Sequence, residues 1–241
     1  MRIAIVSDIH GNLAALDAVS ADLARHDPDL VIHLGDVAVL GPRPAAVVDR
    51  IRELGWPGVL GNTDEILWQP TLQQEQERRA PKLRTWLHTL FATLAPWARE
   101  QLGAERIAWL RTLPREWRHH DLLAVHASPG DLWSAPMPDA QDRTLVDIYG
   151  GRGASLVAYG HIHRPYVRRL PECTVMNSGS VGLPYDGDWR ASYLLLEDSV
   201  PSIRRVAYDL ERALDDLHAA GYPLATWQAE VQRQGRFTRP S

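Results

Sequence analysis

The sequence predicts an α/β fold. Short apolar runs rich in Val, Ile and Leu alternate with segments of helical apolar spacing through the first sixty residues or so, and similar runs return beyond residue 120. The early runs end abruptly in Asp, Asn, Gly or His, as strands do where they meet loops. A strand–helix–strand–helix–strand order implies a largely parallel sheet whose connecting loops gather on one edge.

Ile3 to Val6 is a β-branched run broken by Ser7 and Asp8. From Asn12 to Arg25, Leu13, Leu16, Val19 and Leu23 recur at helical spacing, with Asn12 as a good N-cap. Leu30 to Leu34 is a second strand, Arg43 to Leu54 a second helix, and Val59-Leu60 a short third strand closed by Gly61-Asn62. Residues 66–118 differ: Leu83, Trp86, Leu87, Leu90 and Leu94 are helically spaced and prolines divide the stretch, which predicts a helical insertion or cap. Strands are expected again at Leu122 to Val125, Leu156 to Tyr159, Thr174 to Met176, Tyr193 to Leu196 and Ile203 to Tyr208. The tail from 209 to 241 predicts a helix followed by a polar end, Gln234 to Ser241, expected to fray. Residues 1–241 are thus read as one domain carrying an insertion and a helical tail.

Composition narrows the function. With 241 residues, 45% hydrophobic and 23% charged, the chain is globular and disorder is excluded. A net charge of −4 argues against a general nucleic-acid or anionic-membrane binder, though not against a phosphate ester held through bound metal. Cys173 is the only cysteine, so no internal disulfide or thiolate zinc cluster can form. The opening MRIAIVSDIHG reads as a strand and not as a signal peptide, and no stretch is long and apolar enough to span a membrane. The expectation is a cytoplasmic protein.

The chemistry lies at the strand ends. Asp8 and His10 follow the first strand, Asp36 the second, Asn62, Thr63 and Asp64 the third, His126 the next, and His161 and His163 the one after. In an α/β sheet, loops at the carboxyl ends of strands converge on one crevice. Each motif alone is commonplace, since Gly-Asp and Gly-Asn mark turns. Five in succession, all bearing hard or borderline donors, predict a metal site. In Asp8-x-His10 and His161-x-His163, alternation on extended or loop backbone aims both side chains the same way. Imidazole, carboxylate and amide donors without thiolate suit manganese, iron or zinc.

As a set, Asp8-x-His10, Gly35-Asp36, Gly61-Asn62-x-Asp64, His126 and Gly160-His-x-His163 resemble the calcineurin-like metallophosphoesterase superfamily. Asn177-Ser-Gly-Ser-Val-Gly182 is similar to the Asn-Pro-Gly-Ser stretch of its small bacterial and archaeal phosphodiesterase branch, with Ser178 in the place of Pro. The resemblance runs from Arg2 to about Leu196. It implies a four-layer αββα sandwich of two mixed sheets around two divalent metal ions, manganese first and iron or zinc as alternatives. Asp8, His10 and His163 would hold one ion, Asn62, His126 and His161 the other, and Asp36 both.

The activity this resemblance implies is that of a phosphodiesterase whose nucleophile is a metal-held hydroxide, acting on a small phosphate ester. Asp36 and Asn62 are then catalytic through the metals, and Asp64 has a supporting role. Many members carry His where this chain has Thr63; Thr63 cannot donate a proton near neutral pH, which favours diesters with stabilised leaving groups. Arg43 and Thr63 are candidate substrate contacts, and His119 or His120 an alternative acid. The alternatives are a phosphomonoesterase or protein phosphatase, a dinucleoside polyphosphate hydrolase, and a non-catalytic binding scaffold of the same fold.

Overall fold

A computed structural model describes residues 1–240. One sheet has the order β2-β1-β8-β9, built from β1 (Arg2–Val6), β2 (Leu30–His33), β8 (Ala191–Glu197) and β9 (Val200–Val206). β1 pairs parallel with β2 and antiparallel with β8. The other has the order β3-β4-β5-β7-β6, from β3 (Glu116–His119), β4 (Leu122–Val125), β5 (Leu156–Tyr159), β6 (Tyr166–Arg169) and β7 (Thr174–Asn177). β4, β5 and β7 run parallel, with β3 and β6 antiparallel at the edges. Both sheets are mixed.

Period-two alternation builds the layers. Ile3 and Ile5 of β1 and Leu194 and Leu196 of β8 face the second sheet, where they meet Leu122, Ala124, Ala158 and Met176. Their neighbours Ala4, Val6, Tyr193 and Leu195 face the other way, onto Leu16, Val19 and Leu23 of α1 (Leu13–His26). On the far side, Leu123, Val125, Val157 and Val175 pack against Leu145 and Tyr149 of α7 (Asp142–Tyr149). Helix, sheet, sheet and helix are the four layers.

Asn12 caps α1, its Oδ1 accepting from Ala15 N at 3.1 Å. α2 (Pro44–Leu54) begins with Pro at its first turn and ends at Gly55, whose left-handed backbone suits glycine. The insertion holds α4 (Leu72–Arg79), a 3-10 turn, α5 (Arg84–Thr89), a π-helical turn at Leu90–Leu94, and α6 (Ala95–Leu110). It ends earlier than the sequence suggests, because Glu116–His119 is the edge strand β3. Glu116 and Arg118 are exposed and Trp117 and His119 half-buried, so no continuous apolar run marks it.

Val59 forms no strand: its N–H donates to His33 O at 3.0 Å, flanking a single bridge between Gly58 and His33 beside β2. The tail folds into two helices, α8 (Leu210–Ala219) and α9 (Ala225–Gln234). Its polar end packs back against the fold over the described residues. Phe237 lies 5.5 Å from Trp86 and 5.6 Å from Tyr185, and Trp227 Nε1 donates to Thr238 O. Ser241 lies outside the described residues. Among them, no helix is long and apolar enough to cross a membrane.

Candidate metal centre

The carboxyl ends of β1, β2, β4 and β5 open onto one buried cluster. β1 runs into Asp8 and His10, β2 into Asp36, β4 into His126, and β5 into His161 and His163. Asn62 opens the short helix α3 (Asn62–Glu65). Of the extended or loop backbone expected at the two alternating motifs, the structure has the loop form. Asp8, His10, His161 and His163 all have left-handed φ, at 52°, 49°, 65° and 55°, as does Asp36. Non-glycine residues rarely adopt this conformation, and it concentrates at functional sites. The side chains converge because the chain turns sharply at each strand end, not because a strand alternates.

Close approach demands glycine at two points. A Cβ on Gly61 would sit 2.1 Å from Asp36 Oδ1, and one on Gly160 2.0 Å from Ser7 Oγ and 2.6 Å from Asp8 Oδ2.

His10, His126 and His163 share one device. Their Nδ1 atoms lie 2.6, 2.7 and 2.5 Å from the carbonyls of Val39, Leu34 and Leu183. A carbonyl only accepts, so each Nδ1 carries hydrogen and the neutral ring presents a bare Nε2. His163 Nε2 lies 3.2 Å from Asp8 Oδ1 and 3.1 Å from His10 Nε2. Asp36 Oδ2 lies 3.7 Å from His10 Nε2 and 3.6 Å from His126 Nε2. Asn62 Oδ1 lies 2.7 Å from His126 Nε2 and 2.9 Å from His161 Nδ1. Asp8, His10 and His163 form one group able to hold a metal ion, and Asp8, Asp36 and His126 another. Asp8 Oδ1 is buried with no hydrogen-bond partner. Bare imidazole nitrogens and an orphaned carboxylate oxygen aimed at common points fit a divalent cation.

Titration reflects this crowding. Burial pushes His10 down to about 4, against the pull of Asp36. It also pushes His161 down to about 4, with His126 adding to the effect. Burial opposes a charge on His163 too, but Asp8 raises it above its ordinary value. Burial alone would raise Asp8, yet the surrounding histidines, His163 foremost, hold it well below the carboxylate range.

Supporting groups hold these loops. Asp64 is buried, and its two oxygens accept from Val37 N and Ala38 N, each at 3.0 Å, tying down the loop after Asp36. Burial and the charge of Asp36 push its carboxyl up to about 7. Thr63 N donates to Asp36 Oδ1 at 2.9 Å. Asn177 Nδ2 donates to Gly160 O, and Ser180 Oγ to Asp8 O, so the Asn177–Ser180 segment braces the loops after β1 and β5.

Arg43, His119 and His120 lie elsewhere. The Arg43 guanidinium is engaged by Asp216 of α8 and does not line the cavity beside the cluster. His119 pairs with Leu122, at the opposite end of β4 from His126, so neither it nor His120 reaches the cluster. His33 is fully buried, with Gly58 against its ring. Trp68 packs against the core beneath Arg111. The cavity, about 580 Å³, is lined by His10, Asp36, Asn62, Thr63, His161 and His163 on one side and by the insertion on the other. Gln76, Trp133, Arg164, Tyr185 and Phe237 also line it. No sequence spacing singles them out, because they come from five separate segments.

Residues 1–199 match the family model of the calcineurin-like phosphoesterase superfamily domain. The chain belongs to this superfamily. This calcineurin-like phosphoesterase is 29% identical over 239 residues to an uncharacterized protein of Methanocaldococcus jannaschii, spanning 89% of this chain and 91% of the relative. It is 27% identical over 213 residues to phosphodiesterase YfcE of Escherichia coli, spanning 84% of this chain and 91% of YfcE. A crystal structure of a metallophosphoesterase from Sphaerobacter thermophilus superposes with a TM-score of 0.79 at 27% identity, over 98% of this chain and 99% of that one. A hypothetical protein of Pyrococcus horikoshii superposes at 0.83 and 20% identity over the same shares, which shows the fold alone. The protein is therefore a calcineurin-like phosphoesterase and a homologue of YfcE, with a buried Asp/His cluster compatible with a metal site.

Proposed function

We propose that this phosphoesterase is a metal-dependent phosphodiesterase acting on small phosphate esters. One observation carries the reading: His10, His126 and His163 are pinned through Nδ1 to backbone carbonyls and turn Nε2 toward Asp8 and Asp36. In this reading Asp8, His10 and His163 hold one divalent ion, Asn62, His126 and His161 hold a second, and Asp36 serves both. Manganese is the first choice for a nitrogen- and oxygen-donor set, with iron and zinc as alternatives. When bound, such ions acidify water and neutralise charge on phosphoryl oxygens.

The remaining work falls to the chain itself. Asp36 sets the spacing of the two halves, and Asp64 holds the Asp36 loop through Val37 and Ala38. Thr63 stands at the cavity, and its hydroxyl donates no proton to a leaving group near neutral pH. With His119 and His120 at the far end of β4, no histidine outside the cluster lines the cavity to supply that proton. Diesters with stabilised leaving groups are therefore favoured over alkyl monoesters.

The test compares bis-p-nitrophenyl phosphate with p-nitrophenyl phosphate, using chelator-stripped protein with and without manganese. Manganese-dependent cleavage favouring the diester supports the proposal. Cleavage favouring the monoester keeps the metal site and overturns the diester preference. Metal binding without any cleavage overturns the enzymatic reading in favour of a scaffold.

A further inference from the structure

Phosphate-ester chemistry at the cluster does not require the opposite wall of the cavity, and that wall is aromatic. Trp86 of α5, Trp133, Tyr185 and Phe237 line it. Tyr185 stacks on His163 at 4.2 Å and 15°, so the wall begins at the cluster itself. Phe237 from the C-terminal tail lies against both Trp86 and Tyr185. Phe91 stacks parallel to Trp133 at 6.0 Å and braces it from behind.

Polar atoms with nothing to bond stand among these rings. Gln76 of α4 lines the cavity at 4% exposure. Trp133 Nε1 and Thr63 Oγ1 are buried without a partner. Buried polar groups are rarely left so, and a ligand that supplies the partners explains both. Arg79 also lines the cavity, but its guanidinium is tied to Asp131 and does not recruit a second anion.

These walls dictate the chemistry of an occupant. The space exceeds what a phosphate needs and lies in the range of pockets for small organic ligands. Ring faces select a planar π system. The primary amide of Gln76 on this wall offers both a donor and an acceptor, which suits a heteroaromatic edge. Resting on the phosphodiesterase reading above, we propose that this wall is the specificity pocket. It takes an uncharged, planar aromatic ester substituent with donor and acceptor groups on its edge. Gln76 and Trp86 are specificity determinants that do not touch the reacting atoms. A nucleobase has the complete chemistry; a plain aryl group has only the stacking half.

The test measures binding of methyl phosphate, phenyl phosphate and thymidine 5′-phosphate to manganese-loaded protein by calorimetry. Inhibition of bis-p-nitrophenyl phosphate hydrolysis by the same three gives a second readout. Thymidine 5′-phosphate is expected to bind about tenfold more tightly than methyl phosphate, the scale of one stacked ring, with phenyl phosphate between them. Trp86→Ala should weaken thymidine 5′-phosphate and phenyl phosphate while leaving methyl phosphate unchanged. Gln76→Leu should weaken thymidine 5′-phosphate alone. Equal affinity for all three, with the diester still cleaved, overturns the pocket and leaves the phosphodiesterase reading intact. The expected affinity order without any cleavage supports the pocket and sinks the phosphodiesterase reading. Phenyl phosphate binding more tightly than thymidine 5′-phosphate overturns the hydrogen-bonding role of Gln76.

Discussion

Asp64→Asn tests how the cluster is held. In the native protein, Asp64 Oδ2 accepts from Val37 N and Oδ1 from Ala38 N, both at 3.0 Å and both buried. Asparagine keeps one carbonyl oxygen and replaces the other with an NH₂ donor, so one amide faces a donor in a space closed to water. An unmade buried hydrogen bond of this kind costs about 1–3 kcal/mol. The cost falls on the loop that carries Asp36 and the Val39 carbonyl, which orients His10. Loss of such outer support typically lowers metal affinity by about 10–100-fold. Urea unfolding followed by tryptophan fluorescence reads the first quantity, and calorimetric titration with manganese reads the second. Stability within about 0.5 kcal/mol of wild type together with unchanged affinity would refute the idea that Asp64 holds this loop.

Four further outcomes are expected. Asp36→Ala should remove turnover and most metal binding, read by calorimetry and by diester hydrolysis. Thr63→His should raise monoester hydrolysis relative to diester hydrolysis, and an unchanged ratio in side-by-side assays would contradict the role given to Thr63. Because Asp8 raises the pKa of His163, protons compete with metal for its Nε2, so affinity should fall as pH drops through that raised value; proton release on binding, read from calorimetry in two buffers, checks the sign. His33 is buried without a partner and pushed down by burial from 6.5 to about 4, so the unfolded chain binds the extra proton and stability declines as pH falls across that window. That decline is worth about 3 kcal/mol, and His33→Leu should flatten the acid limb of a pH–stability curve by a similar amount.

Much of the architecture is legible locally. The capping of α1 by Asn12, the proline start of α2 and the alternation of Ile3, Ala4, Ile5 and Val6 arise from short-range pattern. The elements that escape the pattern have physical reasons. β3 is a half-exposed edge strand, Val59 only flanks the single Gly58–His33 bridge, and α7 buries only Leu145 and Tyr149. Sharp left-handed turns at Asp8, His10, His161 and His163 are invisible to periodicity, because they are imposed by the contacts around the cluster.

The side chains able to form the cluster are legible from residue order, since ligand chemistry resides in residue type and each motif ends its own strand or run. What surrounds the cluster is set by packing between elements far apart in the chain. Gln76, Trp133, Tyr185 and Phe237 are distant in the chain and meet at one cavity because α4, α5 and the C-terminal tail close over the same sheet edge. Arg43, close in sequence to Asp36, is turned outward onto Asp216. Contacts of that kind depend on packing between separate elements, and no local spacing encodes them.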